Sequence, residues 1–527
     1  MSVLDRNTEL YPQRAALQRP PAVASAQTFL LPSITDLVFI FLLISFTYGA
    51  LAPRLLWDAG IGWHIRDGQN ILATRSIPHV DSFSATMSGR PWYAWEWLYD
   101  AIVGWIHNQA GLNGVVFINA LVIAATLALV FRITLRRGAG IAISIVFFAL
   151  CAMASSIHFL ARPHVISWLL TAIWFWILET GRQPDMHRRL LWLPLLMLLW
   201  ANLHGGFLVA FFLLGIYIAD ALAGLLNREV TVRGEAAHRA RTLGLISIAS
   251  ALVTLINPYG VNLHIHIYEY LTNRFFMQHI QEFQRPDLHT APAQAFLLMV
   301  LLAVIGIISA RGKLRSVEWL LILFSISSGM YAARNLPVAS MLLMMVCAPV
   351  LTQHSSFRQG RLARWKIVLD RTRETELRLR GHLWPAALIA VTLFICLHGG
   401  TLAGRQIMDA HFDPARFPVK TVDVLEWGGI REPIFTLDSW GGYFIYRLYP
   451  DTKVFIDDRH DFYGEAYIRD YLKVIHVEPG WEAVLDRLGV KLIVLPAKAK
   501  ISEALRASGR WKASQDDSAS VAFERQL

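Results

Sequence analysis

Charge is scarce in this chain. Only 17% of its 527 residues are Asp, Glu, Lys or Arg, while 55% are hydrophobic; a soluble protein usually carries about a quarter charged residues. Cysteine is nearly absent. Cys151, Cys347 and Cys396 all fall inside apolar runs, which excludes a disulfide framework or zinc spacing and leaves three small core residues. No Gly-rich nucleotide loop, Walker motif or nucleophile elbow occurs, so an ATP-driven transporter and a nucleotide-sugar enzyme are disfavoured. The first 33 residues are polar and contain Pro12, Pro20, Pro21 and Pro32. They lack the pattern of a secretory signal and read as a cytoplasmic arm, 1–33.

What fills the chain instead is long apolar runs. Repeated stretches of ~17–20 residues predict a polytopic α-helical membrane protein. About eleven spans are expected, at 34–56, 113–132, 140–157, 165–180, 189–202, 205–225, 243–257, 293–310, 317–333, 336–351 and 384–400, within a membrane domain 34–400. The net charge of +10 sits in alternate loops, as topology requires, and not on a nucleic-acid-binding face. With the N-terminus inside, the inside loops carry Arg132, Arg136 and Arg137, then Arg182, Arg188 and Arg189, then Arg228, Arg233, Arg239 and Arg241, then Arg311, Lys313 and Arg315, and last a basic run from Arg358 to Arg380. These loops read as arginine and filler.

The unusual polar groups fall on the other side. The stretch Trp57-Asp58-Ala59-Gly60-Ile61-Gly62-Trp63-His64-Ile65-Arg66 follows the first apolar run. It sets an acid, an imidazole and a guanidinium where a membrane helix leaves the bilayer, with two glycines expected to bend the backbone. A carboxylate there can act as a base on a lipid-phosphate substrate. The plain alternative is a helix cap with headgroup anchors. The first outer loop, 57–112, also carries Asp81 and Glu96, and its segments 62–74 and 93–108 read as short helices lying on the bilayer and framing a cleft. Further outer loops bring Arg162-Pro163-His164, Asn202-Leu203-His204-Gly205-Gly206, Tyr259, Glu282 and Arg334.

From 401 to 527 the chain changes character. Strands are expected at 433–437, 453–457 and 490–495, with an edge strand at 521–525 and helices at 417–427, 465–475 and 480–488. That alternation predicts an outer, periplasmic α/β domain with a largely parallel sheet. Trp440-Gly441-Gly442-Tyr443 and Asp457-Asp458-Arg459-His460-Asp461 read as loops at strand ends, where such sheets place ligands. Asp457 and Arg459 can bind sugar hydroxyls or simply form an internal salt bridge.

Asp58 has no second acid within a helical turn and alone is a poor chelate; a divalent metal would need His64, Asp67, Asp81 or Glu96 as further ligands. Arg162 suits bidentate phosphate binding or headgroup anchoring. Arg334, between two apolar runs, needs a partner or a ligand. Asn202 and His204, at a Gly-Gly helix break, either line a cavity or join two spans.

On these residues the chain resembles the GT-C superfamily of polytopic glycosyltransferases. The likeness lies in the acid opening the first outer loop, the juxtamembrane helices, the many spans and the C-terminal outer α/β domain. It looks closest to a bacterial branch with Asp-x-Gly-x-Gly-Trp-His, here Asp58 to His64. That branch also shows Asp81-Ser82-Phe83-Ser84, Pro91-Trp92 with Glu96-Trp97-Leu98, Arg162-Pro163-His164, Asn202-Leu203-His204-Gly205-Gly206, and Trp440-Gly441-Gly442-Tyr443 with Asp457-x-Arg459. The resemblance implies an inverting sugar transfer on the periplasmic face of a bacterial inner membrane, from a polyprenyl-phosphate donor to a glycan, lipid or protein. Asp58 would be the catalytic base. Arg162, His164 and Arg334 would hold the leaving phosphate, and His64, Arg66, Asp81, Glu96, Asn202, His204, Tyr259, Glu282, Asp457 and Arg459 are further substrate-binding candidates. Metal-dependent members carry a second acid where this chain has Gly60, so no cofactor is expected. The alternatives are a polymerase or ligase using diphosphate-linked glycans, and a non-enzymatic lipid-glycan flippase.

Overall fold

The computed structural model describes residues 26–354, 361–379, 381–516 and 519–526. Most of the expected N-terminal arm, and Arg358 and Arg380 of the last basic loop, lie outside them.

Each expected span coincides with a helix. They are Ile34–Thr47, the second part of Trp97–Arg136, Ile141–Ser155, His164–Thr180, Trp192–Leu203, Leu208–Gly224, Val230–Val253, Ala291–Ala310, Ser316–Tyr331, Leu336–His354 and Leu383–Leu397. By length and composition six described helices can cross a membrane, or seven if the bent pair Asp370–Arg378 and Leu383–Leu397 is one span. His164–Thr180 and Ser316–Tyr331 are apolar but shorter. Trp192–Leu203 has 12 residues, about 18 Å at 1.5 Å per residue, well short of a ~30 Å hydrocarbon core. The expected count of about eleven therefore includes segments too short to span alone.

The first membrane helix starts on a capping box. Ser33 Oγ accepts from the Asp36 amide at 3.1 Å and Asp36 accepts from the Ser33 amide at 2.8 Å. Glu376, remote in sequence, takes the amides of Ile34 and Thr35 at 2.6 and 3.1 Å, while Arg132 pairs with it at 3.0 Å. The orphan donors of this helix end are thus met by a carboxylate instead of water. On the same face Arg137 pairs with Glu179 at 2.8 Å, Arg182 with Asp220 at 2.8 Å and Arg315 with Glu179 at 3.0 Å. The basic loops are therefore not filler: their arginines cross-link helix ends.

On the other face the first loop folds as the helix Gly60–Thr74, an irregular segment, and the long helix Trp97–Arg136. The second expected loop helix is the opening of that long helix, which bends at Gly111 (φ 57°, ψ −153°) before entering its apolar part. The two helices cross so closely at Gly68 that a Cβ there would lie 1.7 Å from the Asp100 carbonyl. Gly60 and Gly62 are helical and do not bend the chain, contrary to expectation. Gly62 is small because the helix Asp438–Leu448 presses on it, a Cβ there lying 2.1 Å from the Gly442 carbonyl; Gly60 is small because a Cβ there would lie 2.5 Å from Asp458 Oδ2 and 2.8 Å from Arg162 Nη2. The Trp440–Tyr443 motif is thus a helix face, not a strand-end loop.

The C-terminal sheet has four strands, ordered Ile434–Phe435, Leu492–Pro496, Ser520–Arg525 and Trp511–Asp516. Only the first pair is parallel; the other two are antiparallel, Leu495 facing Val521 and Trp511 facing Arg525. The sheet is mixed and mostly antiparallel, because the last two strands are too close in sequence for a crossover and pair antiparallel. The expected strand 453–457 is an extended segment whose Val454 bridges both Ile434 and Ser84 of the first loop. That bridge carries the first loop and the sheet as one unit.

Candidate active site at the exit of the first membrane helix

Asp58 lies one residue after Trp57, where the turn Pro53–Leu56 ends. Its Oδ1 accepts the Gly60 amide at 2.8 Å and its Oδ2 pairs with Arg162 Nη1 at 2.9 Å. A side-chain exposure of 27% leaves the carboxylate reachable. Arg162 is positioned by the chain before it: the Ala161 amide donates to the Leu55 carbonyl at 2.8 Å, tying its loop to the exit of the first helix. The other arm of the same guanidinium, Nη2, meets Asp458 Oδ2 at 2.5 Å, and Asp458 Oδ1 accepts the Trp63 indole N–H at 2.8 Å. One arginine therefore joins two carboxylates from opposite ends of the chain. Burial opposes its charge, but Asp58 and Asp458 outweigh that and raise its pKa. Burial lifts Asp458 to about 6 against the pull of Arg162.

Asp458 was missed in the sequence because Asp457 and Arg459 drew the assignment. The sequence carries no local signal for it. The chain bends at Asp458, Asp457 Oδ1 accepting the Arg459 amide at 3.0 Å, and the bend turns Asp458 toward Arg162 while its two neighbours are buried.

Glu96 sits beside this clamp at the head of the long helix. Its Oε1 lies 3.5 Å from His204 Nε2 and its Oε2 3.8 Å from His64 Nε2. Burial raises Glu96 to about 8, with Arg162 and Arg334 pulling the other way and Asp461 and Asp458 pushing with it. His204 Nδ1 accepts from the Gly206 amide at 3.0 Å and lies 2.8 Å from Ser167 Oγ, which takes the Trp200 indole N–H at 2.7 Å. A backbone amide only donates, so Nδ1 carries no proton and Ser167 donates its O–H to it as well. His204 is then neutral with its N–H on Nε2, facing Glu96. Burial and the Arg334 charge hold its pKa down, to about 3. Glu282 feels Arg334, His158, Arg162 and His164, which overcome its burial and take it down to about 2. Arg334 lies over the Phe283 ring at 4.5 Å, and His164 Nε2 is 2.9 Å from the His158 carbonyl. The structure thus gathers Asp58, Glu96, Arg162, His164, His204, Glu282 and Arg334 into one electrostatically coupled cluster, and adds Asp458.

The remaining candidates bind the protein to itself. Arg459 is 4% exposed and pairs with Asp81 at 2.9 Å and Asp457 at 2.7 Å. Its guanidinium also stacks on Trp63, Phe83, Trp92 and Phe462. Asp457, Arg459 and Asp81 are closed to a sugar, and the internal salt bridge describes them. Asn202 is saturated by the Trp97 indole and by the carbonyls of Leu198 and Ile256. The Tyr259 hydroxyl donates to the Pro78 carbonyl at 2.7 Å and accepts the Ala94 amide at 2.9 Å, while its ring lines an open cavity of about 300 Å³ with His79, Trp92, Tyr93 and Asn262. Arg66 donates to the Tyr446 carbonyl at 2.8 Å. His64 is fully buried, its Nδ1 2.5 Å from Asp100 Oδ1.

Asp100 and Asp67 form a buried acid pair unforeseen in the sequence. Each leaves one carboxylate oxygen without a partner, and they lie within hydrogen-bonding reach of each other. A proton held between them would satisfy both. Of the possible metal ligands, Asp67 and Asp81 sit in these separate buried pairs, away from Asp58. Among the described residues no group of three or more His, Cys, Asp or Glu is arranged to hold a metal ion.

The fold of this chain is similar to that of the oligosaccharyltransferase of Archaeoglobus fulgidus in its apo form, with a TM-score of 0.52 and 12% identity over 88% of this chain and 69% of that one. The same protein in complex with Zn and sulfate matches with a TM-score of 0.49 and 12% identity over 94% and 73%. ArnT from Cupriavidus metallidurans bound to undecaprenyl phosphate matches with a TM-score of 0.48 and 12% identity over 93% and 97%. No family model and no curated protein matches the sequence. The likeness is one of architecture: the chain shares the membrane fold of that oligosaccharyltransferase.

Proposed function

We propose that this protein is a membrane glycosyltransferase that moves a sugar from a polyprenyl-phosphate donor to a hydroxyl of a glycan, lipid or protein, on the periplasmic face of a bacterial inner membrane. The observation that carries the reading is the reachable Asp58 carboxylate, fixed by Arg162 where the first membrane helix ends. As the acceptor oxygen attacks the anomeric carbon, Asp58 takes its proton. The new glycosidic C–O bond forms as the bond to the phosphate oxygen breaks, and the polyprenyl phosphate leaves with the electron pair. Attack opposite the leaving group inverts the anomeric centre. Arg334 and His164 border the same cluster and are the candidates to receive the phosphate. Arg162 is already committed to two carboxylates and acts as a positioning residue. The clustering of these acids and bases on one face supports chemistry there over a flippase, which needs charges placed along the path to both sides.

The test is sugar transfer in membranes carrying the protein, with labelled polyprenyl-phosphate sugars, comparing wild type with Asp58→Asn, with and without chelator. Transfer lost only in the variant, at equal protein level, supports Asp58 as base without a metal. Loss on chelation assigns a metal. Equal transfer by wild type and variant removes Asp58 from the chemistry and brings forward the polymerase or ligase reading with diphosphate-linked glycans.

A further inference from the structure

Several arginines on the active-site face are already spent. Arg162 holds Asp58 and Asp458, Arg459 holds Asp81 and Asp457, and Arg447 holds Asp423 and Glu426. Two are different. The Arg54 guanidinium lies 5.1 Å and that of Arg416 4.4 Å from the centroid of the Trp57 ring. Among the described residues neither forms an ion pair, and the charge that acts on Arg54 is that of Arg416, which repels it. Two like charges held on one ring with no counter-charge are unfavourable unless an anion joins them.

The backbone that carries each cation is also fixed in place. Arg54 sits in the turn Pro53–Leu56 just past the first membrane helix. The Arg416 amide donates to the Asp413 carbonyl at 2.9 Å, and its carbonyl accepts the Trp440 indole N–H at 2.9 Å. Trp440 belongs to the helix that presses Gly442 against the helix following Asp58. The pair is therefore preorganised beside the sequence neighbour of Asp58. Trp57 is 38% exposed and Arg416 is exposed, so the site is open.

We propose that Arg54, Trp57 and Arg416 form a binding site for the terminal phosphate monoester of a membrane lipid. Two guanidinium forks offer bidentate donors to a tetrahedral oxyanion. A monoester carries about −1.5 to −2 charges near neutral pH and balances two cations, whereas a phosphodiester carries one. The position just past a membrane helix matches the depth of lipid headgroups. This deepens the lipid-phosphate reading above and rests on it for the class of lipid.

The experiment is binding by the purified full chain in detergent, read by native mass spectrometry. The probes are a polyprenyl phosphate, a phosphatidate (also a monoester), a phosphatidylglycerol (a diester) and inorganic phosphate. Wild type is compared with Arg54→Gln, Arg416→Gln and, as a control on the same part of the chain, exposed Arg405→Gln. Both monoester lipids should bind, about tenfold or more weaker in each of the first two variants and unchanged in the control. The diester should bind wild type about tenfold more weakly. Arg416 is exposed and its replacement spares the fold, so unchanged lipid binding in Arg416→Gln overturns the site. Equal, variant-insensitive binding of mono- and diester overturns it as well. Inorganic phosphate binding as tightly as the lipids would make it a free-anion site and overturn the lipid assignment. Asp58→Asn separates this from the transfer reading. Retained, Arg416-dependent binding in that variant supports the site whether or not transfer survives.

Discussion

Gly62 and Gly442 meet backbone to backbone: a Cβ on Gly62 would come 2.1 Å from the Gly442 carbonyl. This contact, not any single hydrogen bond, sets the helix that follows Asp58 against the C-terminal helix and so fixes how the carboxylate faces Asp458. Gly62→Ala should cost about 1–3 kcal/mol, since backbone cannot yield as a side chain would. Gly215→Ala, with nothing near its Cβ position, should be neutral within about 0.5 kcal/mol. Thermal unfolding of the two purified variants checks this, and equal melting temperatures would refute the close contact.

Arg162 serves Asp58 through a fork whose other arm is held by Asp458. Asp458→Asn weakens that arm and lets the guanidinium swing. Transfer should fall about tenfold or more through misplacement of Asp58, with KM for the donor changing less than kcat. A loss confined to KM would instead make Asp458 a donor contact.

Glu96 faces the N–H of His204 and has its pKa raised to about 8 by burial. It is largely protonated at neutral pH and gains a charge as pH climbs. Wild-type transfer should therefore decline through about pH 8, and Glu96→Gln, which stays neutral, should lack that decline. A decline that persists in the variant belongs to another group.

The buried Asp67–Asp100 pair gives stability a sign with pH. Burial raises Asp67 from 3.8 to about 7. Its contribution is whole below the unfolded value of 3.8 and lost as pH rises through about 7. The melting temperature of wild type should drop between pH 6 and 8. Asp67→Asn removes the ionisation and should flatten the slope; an unchanged slope would count against the shared proton.

Arg459 neutralises two buried carboxylates and touches four aromatic rings. Arg459→Met leaves Asp81 and Asp457 unpaired, a loss of about 3–5 kcal/mol. The triple change with Asp81→Asn and Asp457→Asn should recover part of it. Protease resistance of the membrane-bound variants reads both outcomes, and no recovery would mean the arginine matters by packing alone.

The helices of the membrane part were legible because an apolar run of sufficient length is a local property. The cluster was half legible. Asp58, Arg162, Glu96 and His204 stand in loops on one face, and that much follows from alternating loops. Asp458 and the acid pair were not legible, because each depends on which remote segment packs against it. Asn202, Tyr259 and Arg459 look the same in sequence as ligand-binding groups. Only their saturated hydrogen bonds and burial show that they hold the protein together.

The sequence by itself thus determined a helical membrane protein with its candidate site residues in alternate loops, because hydrophobic length and loop charge act residue by residue along the chain. The tertiary structure decided that Gly62 and Gly442 touch, that Arg162 spans Asp58 and Asp458, and that Arg54 and Arg416 share Trp57 with no ion pair to either among the described residues. Those are pairings between segments distant in the chain, and their energies exist only once packing has brought the groups within a few ångströms.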